Sequence, residues 1–227
     1  MKIYTFGCSF TYGCEGSDYT ATSWVEKLAQ KYPDIEFEDY SYPGTCIEYS
    51  LYLYERVAEN ISPEDITVFQ FTIPFRYTTW TNSNIFYYVE NRHKKMPNYS
   101  KFVPEFKNNL ERYIGNLRKW HFHDDKELLD EVFHKKYYTK FNEGKELATY
   151  NAIANYIRDK VTFTFFHDAP GDERIDTTNS VVIQDVLGTP QFNTFTWDVG
   201  RHFNHEGCDT VANVVENGIG LKTNETK

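Results

Sequence analysis

A chain of 227 residues that is 40% hydrophobic and 25% charged has a globular composition, long enough for one α/β domain with a real core, which excludes intrinsic disorder. The formal net charge of −9 argues against binding nucleic acid through a broad phosphate-neutralising face. No apolar run is long enough for a transmembrane helix, and the six-residue stretch before Gly7 is too short for a signal peptide, so a cytoplasmic setting without a membrane partner is expected.

Residues 2–6, "KIYTF", read as a buried strand that ends in a loop rich in Gly, Ser and Thr. Ser23 with Glu26 three positions on has the capping-box pattern. Trp24, Val25, Leu28 and Ala29 then predict an amphipathic helix that Pro33 ends. "DIEFEDYSY" alternates as a strand over about 35–41, "PGT" turns, and a second helix is predicted over 46–59. Pro63 interrupts before "DITVFQFTI", a strand over about 65–72 apolar enough for a sheet centre. This β-α-β-α-β order with short connections predicts a three-layer, doubly wound, mostly parallel α/β fold. Residues 75–142 break the rhythm and read as an inserted cap within a single domain spanning 1–227, with helical stretches at about 104–120 and 126–136. A helix is then expected at 143–159, a strand at 161–167, a strand or short helix at 180–186, loop at 188–204 and a closing helix at 205–218.

Ser9 stands on the turn just past the first strand, where α/β enzymes expose a nucleophile. A serine hydroxyl is a poor nucleophile alone and needs a base, an acid that orients the base, and donors for the oxyanion. His202, in the loop directly before the last helix, is the candidate base, with His205 as its rival. Asp198 in the same loop would hold the imidazole tautomer. In a parallel sheet the loops after the strand C-termini converge on one rim, so Ser9, Gly44, the end of the third strand and His202 can meet there. The backbone N–H groups of Ser9 and Gly44 are the natural oxyanion donors, with Thr72 or Gln70 as a side-chain donor. Each residue also has a plain structural role open to it: a turn serine, a capping or surface histidine, an ordinary loop aspartate.

These residues carry a resemblance. "FGCSFTYG" resembles the first block of the SGNH/GDSL hydrolase superfamily, Gly-Asp-Ser-x-Thr, with Gly7, Ser9 and Thr11 in place and Cys8 where the family has Asp. "DVGRHFNHEGCDTVA" is similar to the family's closing motif, Asp-x-x-His-Pro-Asn-x-x-Gly. His202, Asn204 and Gly207 match it, Asp198 lies four residues before the histidine instead of three, and Phe203 replaces the Pro. Gly44 in "DYSYPGT" is similar to the second block, and the family's Asn after the third strand has no counterpart in "FQFTIPFR". The variant with its Tyr-rich insertion looks similar to SGNH-like proteins of large tailed phages. The resemblance implies a flavodoxin-like topology and a serine esterase that uses Ser9, His202 and Asp198 without a metal or organic cofactor. Its expected substrate is a small-molecule or glycan ester, a small acyl group on a carbohydrate or other polar alcohol. The departures leave room for the alternative, a catalytically inactive binding or assembly module on the same fold.

Arg76 after "IPF" is a candidate clamp for a carboxylate, phosphate or sugar substituent, or a surface arginine. Tyr12 and Trp80 are candidate pocket walls, although core packing is the commoner fate of aromatics. Cys8, Cys14, Cys46 and Cys208 lack metal-ligand spacing and read as reduced, small buried hydrophobes rather than a metal site or redox pair. Cys8 as nucleophile in place of Ser9 is a minor reading. "HFHDD" at 121–125 has no partner cluster and reads as solvated loop, and "GCSFTYG" lacks the Lys and Gly spacing of a phosphate-binding loop.

Overall fold

The computed structural model describes residues 1–13, 22–43, 45–72, 76–78, 87–92, 96–105, 114–116, 140–168, 170, 173–195 and 202–221; for 76–78, 87–92, 103–105, 114–116, 140–143, 145–146 and 194–195 the description is of the backbone. Strand β1 (Lys2–Phe6) leads into the short helix α1 (Ser9–Tyr12), then α2 (Trp24–Lys31), β2 (Glu36–Asp39) and α3 (Ile47–Val57), which tightens into a 3-10 turn at Ala58–Asn60. After β3 (Ile66–Phe71) come β4 (Arg76–Thr78), β5 (Tyr87–Arg92), β6 (Tyr99–Glu105) and β7 (Ile114–Asn116). The chain closes with α4 (Lys140–Arg158), β8 (Phe163–Phe166), β9 (Val181–Val182), α5 (Ile183–Leu187), α6 (Thr189–Phe195) and α7 (His205–Gly218). Among the described residues, no helix is long and apolar enough to cross a membrane.

One seven-stranded sheet runs β5-β6-β2-β1-β3-β8-β9, all parallel except β5, which pairs antiparallel with β6 at one edge. Without β5 and β6 the strand order is that of flavodoxin-like doubly wound folds. The two faces follow from the alternation of side chains along each strand. Ile3, Val68 and Phe165 pack on one face with Trp24, Val25 and Leu28 of α2 and Val211 and Val215 of α7. Tyr4, Phe6, Phe69, Phe71 and Phe166 pack on the other with Leu53 of α3 and Leu147, Ala154 and Ile157 of α4. Burying each such side chain contributes roughly 1.5–3 kcal/mol, so the position of α7 against β1, which matters below, is set by apolar packing. The fold class is the one expected: three layers, doubly wound, mostly parallel.

Local chemistry explains the starts of the two site-facing helices. At α2, the Ser23 hydroxyl accepts from Glu26 N (3.1 Å), and the Glu26 carboxylate accepts from Ser23 N (2.7 Å), the expected capping box. At α7, Asn204 caps by accepting from Gly207 N at 2.8 Å.

The structure departs from expectation in the 75–142 segment and at Thr189–Phe195. Within the insertion, β5 and β6 join the main sheet, and 104–105 and 114–116 are strand where a helix was expected; 126–136 lies outside the described residues. β6 pairs with β2 from Tyr99 to Lys101 and beyond that with β5 alone, so Pro104 falls where β2 needs no N–H donor. Thr189–Phe195 is helical rather than loop: Pro190 near its start suits a first turn, and Gly188, at φ +75°, turns the chain out of α5. At 180–186 both readings hold, a two-residue strand followed directly by α5.

The Asp39 carboxylate, wholly buried at the end of β2, ties the inserted strand to the sheet centre. It accepts from Thr5 Oγ1 of β1 (2.9 Å), Tyr99 OH of β6 (3.0 Å), and the backbone N (3.0 Å) and hydroxyl (2.6 Å) of Ser41. Burial first, and the Asp39 charge next, push the Tyr99 phenol well above its ordinary range, so it stays a donor.

On the α2–α7 face, Glu216 accepts from Lys31 Nζ (2.6 Å) and from the Tyr32 hydroxyl. Burial pushes the Glu216 carboxyl up, but the bonds from Lys31 and Tyr32 outweigh it and the net shift is downward. A carboxyl held below its unfolded value stabilises the fold above that value, about 4.3, and the contribution is lost as pH falls through the folded value. Denaturant titrations of wild type and Glu216→Gln should therefore show a stability gap at pH 7 that closes between about pH 5 and pH 3. A gap independent of pH would contradict this role.

Candidate active site

β1 ends at Phe6, and Gly7 and Cys8 carry the chain into α1. Cys8 O accepts from Thr11 N and Tyr12 N, both at 3.0 Å, which closes the single turn that carries Ser9. Gly13, at φ +88°, ends it in the left-handed region where a side chain would be strained.

The turn is braced from two sides. From β3, the amide oxygen of the wholly buried Gln70 accepts from Cys8 N (3.0 Å), Cys8 Sγ (3.2 Å) and Thr11 Oγ1 (3.4 Å), while its Nε2 donates to Phe71 O at 2.5 Å. From the loop after β2, Tyr42 N (3.1 Å) and Thr45 Oγ1 (2.9 Å) both donate to Gly7 O. A Cβ at position 7 would lie 2.6 Å from Thr11 Oγ1 and 2.8 Å from Gln70 Oε1, so glycine is required by close approach.

His202 lies two residues before the Asn204 cap of α7, and its Nε2 is 2.8 Å from Ser9 Oγ. Ser9 is buried, 7% exposed. The Phe10 ring tilts over His202 with centroids 5.0 Å apart. His205 turns the other way: its Nε2 meets Lys27 Nζ of α2 at 2.9 Å on the exposed surface, and Lys27 also pairs with Asp209 at 3.0 Å. The geometry thus separates the two candidate histidines.

A histidine that the sequence places inside a strand also stands at the rim. His167 directly follows β8 and is buried, stacked face to face on Phe10 at 3.7 Å and met edge-on by Phe203 (4.2 Å) and Phe192 (5.2 Å). Its ring joins the residue after Ser9 to the residue after His202. The signal was available: a histidine closing a run of β-formers at the C-terminal end of a parallel strand is on the rim by topology. With Phe10, Phe71, Thr72, Phe166, Asp168 and Pro170 it lines a small cavity with room for about one water molecule.

Among the other expected site residues, Thr72 is wholly buried and its hydroxyl has no hydrogen-bond partner among the described residues, while Tyr150 OH donates to its carbonyl at 2.6 Å. Gln70 is committed to the nucleophile turn rather than to the cavity. Tyr12 is half-buried beside the turn, with Lys101 Nζ of β6 3.8 Å from its ring centre and donating to its carbonyl at 2.7 Å. Arg76 has its backbone in β4; its side chain, and Gly44, Trp80, Cys14, Asp198 and the 121–125 stretch, lie outside the described residues. Cys8, Cys46 and Cys208 are buried and in the thiol form, outside any disulfide among the described residues. Cys8 Sγ faces Gln70, and Cys46 Sγ accepts from Tyr49 N at the start of α3.

No family model matches this chain, and no curated protein matches it. Solved structures are similar to it. An acetylxylan esterase from Geobacillus stearothermophilus is 12% identical, with 97% of this chain and 94% of that one covered at a TM-score of 0.45. A lipase/acylhydrolase from Enterococcus faecalis is 14% identical, covering 96% and 94% at 0.47. The acetyl xylan esterase AlAXEase is 14% identical, covering 96% and 100% at 0.46.

Because the atoms facing Gly7 are pinned by their own hydrogen bonds, Gly7→Ala should lower stability by about 1–3 kcal/mol and loosen Ser9 with it. A melting temperature unchanged from wild type would contradict the close-packed turn.

Proposed function

We propose that this protein is a serine ester hydrolase of the SGNH type. The observation that carries the reading is the 2.8 Å hydrogen bond between Ser9 Oγ and His202 Nε2 at the C-terminal rim of a doubly wound sheet. A neutral imidazole at that distance accepts the serine proton as Oγ attacks the ester carbon. The carbonyl oxygen becomes an oxyanion, held by the backbone N–H groups of Ser9 and Gly44 and by the Thr72 hydroxyl, whose hydrogen is uncommitted among the described residues. Collapse of the tetrahedral species breaks the ester C–O bond, and the alkoxide leaves with the proton from His202. Water then attacks the acyl-enzyme, giving its proton to His202, and the carboxylic acid departs as Ser9 recovers its hydroxyl. Asp198 is assigned to orient His202 from its place in the same loop.

On this reading the substrate is a small acyl ester of a polar alcohol, a carbohydrate among them, with Tyr12 and Arg76 as candidate binding residues. Residues fitted for a cofactor are not part of the scheme.

Wild type should hydrolyse p-nitrophenyl acetate, with activity rising as pH passes upward through the histidine range. Ser9→Ala should lose ~1,000-fold or more, while His205→Ala should stay within about threefold of wild type, the change of an exposed side chain away from the chemistry. Equal rates for wild type and Ser9→Ala would leave a non-catalytic binding module on this fold as the better account.

A further inference from the structure

The groups that bear directly on Ser9 include one whose chemistry is unusual for its position. Gln70 lies inside β3, not in a loop, and is wholly buried, yet both polar ends of its side chain are used. The two ends of its amide are not interchangeable. The oxygen faces three donors, the Cys8 N–H, the Cys8 thiol and the Thr11 hydroxyl, whereas the nitrogen faces the Phe71 carbonyl. Rotating the amide by half a turn would set donor against donor and acceptor against acceptor in a buried site, so the orientation is locked. Its partners flank Ser9 on both sides, at positions 8 and 11, so the amide grips the turn before and after the nucleophile.

We propose that Gln70 is a positioning residue for the nucleophile, fixing the Cys8–Thr11 turn so that Ser9 Oγ meets His202 Nε2. The proposal rests on the esterase reading above and adds to it the group that sets the reacting geometry. Gln70 acts through Cys8 and Thr11. Its loss shifts Ser9 relative to His202 and lowers kcat, while KM, set by the alcohol and acyl contacts, changes little. The same contacts explain Cys8, whose backbone and thiol are two of the three donors that register the turn on the sheet, which suits a small, weakly polar side chain in a wholly buried place.

Two variants test this. Gln70→Met keeps the volume and removes both polar ends. Gln70→Glu keeps the shape: protonated, its carbonyl accepts from Cys8 and its O–H donates to Phe71 O, reproducing the amide, whereas ionised it turns an anionic oxygen on that carbonyl. The Cys8 thiol is a titratable group in contact with position 70, and any dependence that arises from His202 is common to all variants. Burial favours the neutral carboxyl, so Gln70→Glu should work near the wild-type rate at the acid end of the profile and fall along an alkaline limb that wild type lacks. Gln70→Met, assayed as folded protein by its thermal transition, should lose about 100-fold in kcat, the scale of a misplaced reacting group, with KM within about threefold.

A Gln70→Met enzyme with wild-type kcat per folded molecule, or a Gln70→Glu profile parallel to wild type, overturns the proposal. The nitrogen resonance of His202 Nε2 separates this claim from the esterase reading, because it reports the bond to Ser9 whether or not turnover occurs. In Gln70→Met it should move toward its position in Ser9→Ala; a resonance unchanged from wild type overturns the proposal even if no ester is ever cleaved.

Discussion

The bond between Ser9 and His202 joins positions 193 apart in the chain, and a serine–imidazole pair works only when its atoms are held within a few tenths of an ångström. Neither residue lies within a long element that could hold it. Ser9 sits on a four-residue helix, and His202 sits ahead of α7. The precision is therefore inherited from what those short segments are fastened to. β1 is the centre of a parallel sheet, paired with β2 and β3 along its length. α7 lies against α2 through Trp24, Leu28, Val211 and Val215, and is pinned at its far end by the Lys31–Glu216 pair. The Ser9 and His202 segments are in effect the ends of rigid, apolar-packed bodies.

The rim where they meet is polar and buried at once. Asp39, Gln70, Thr45 and Ser41 are all fully buried, and each has hydrogen-bond partners beyond its own element. A buried polar group left unmatched costs about 1–3 kcal/mol, so such groups tolerate one arrangement of the chain where apolar side chains would tolerate several. Asp39 registers β6 against β2 and β1, and Ser41 leads from that carboxylate into the Tyr42–Thr45 turn that holds Gly7 O. β6 is thus linked to the Ser9 turn by a continuous path of hydrogen bonds and chain. Lys101 of β6, bonded to the Tyr12 carbonyl, makes a second link.

Much of this was legible in the residues. The Ser23–Glu26 pair marks the start of α2, and Asn204 marks that of α7, because caps are local chemistry. The pairing of Ser9 with His202 followed from motif spacing combined with the rule that strand C-termini share one rim. The spacing to Asn204 and Gly207 favours His202 over His205; what the sequence does not show is that the packing of α2 against α7 turns His205 toward Lys27. β5 and β6 were hidden because strand pairing at a distance leaves no local period, and Pro104 is compatible with a strand only because it lies beyond the last β2 partner. The role of Gln70 was hidden for the same reason: an amide inside an apolar run states that it has a partner, not which one. Thr189–Phe195 read as loop because Gly188 and Pro190 are turn formers, here used to end one helix and begin the next.

The central claim is that Ser9 Oγ is an activated nucleophile because His202 shares its crevice. A fluorophosphonate reports this directly, since it forms a stable covalent adduct only with a serine whose proton can be taken up. Intact-mass measurement and peptide mapping after treatment should show one adduct, on Ser9, in wild type, and none on Ser9 in His202→Ala. A wild-type protein that stays unlabelled, or that carries its adduct on another residue, would contradict the account.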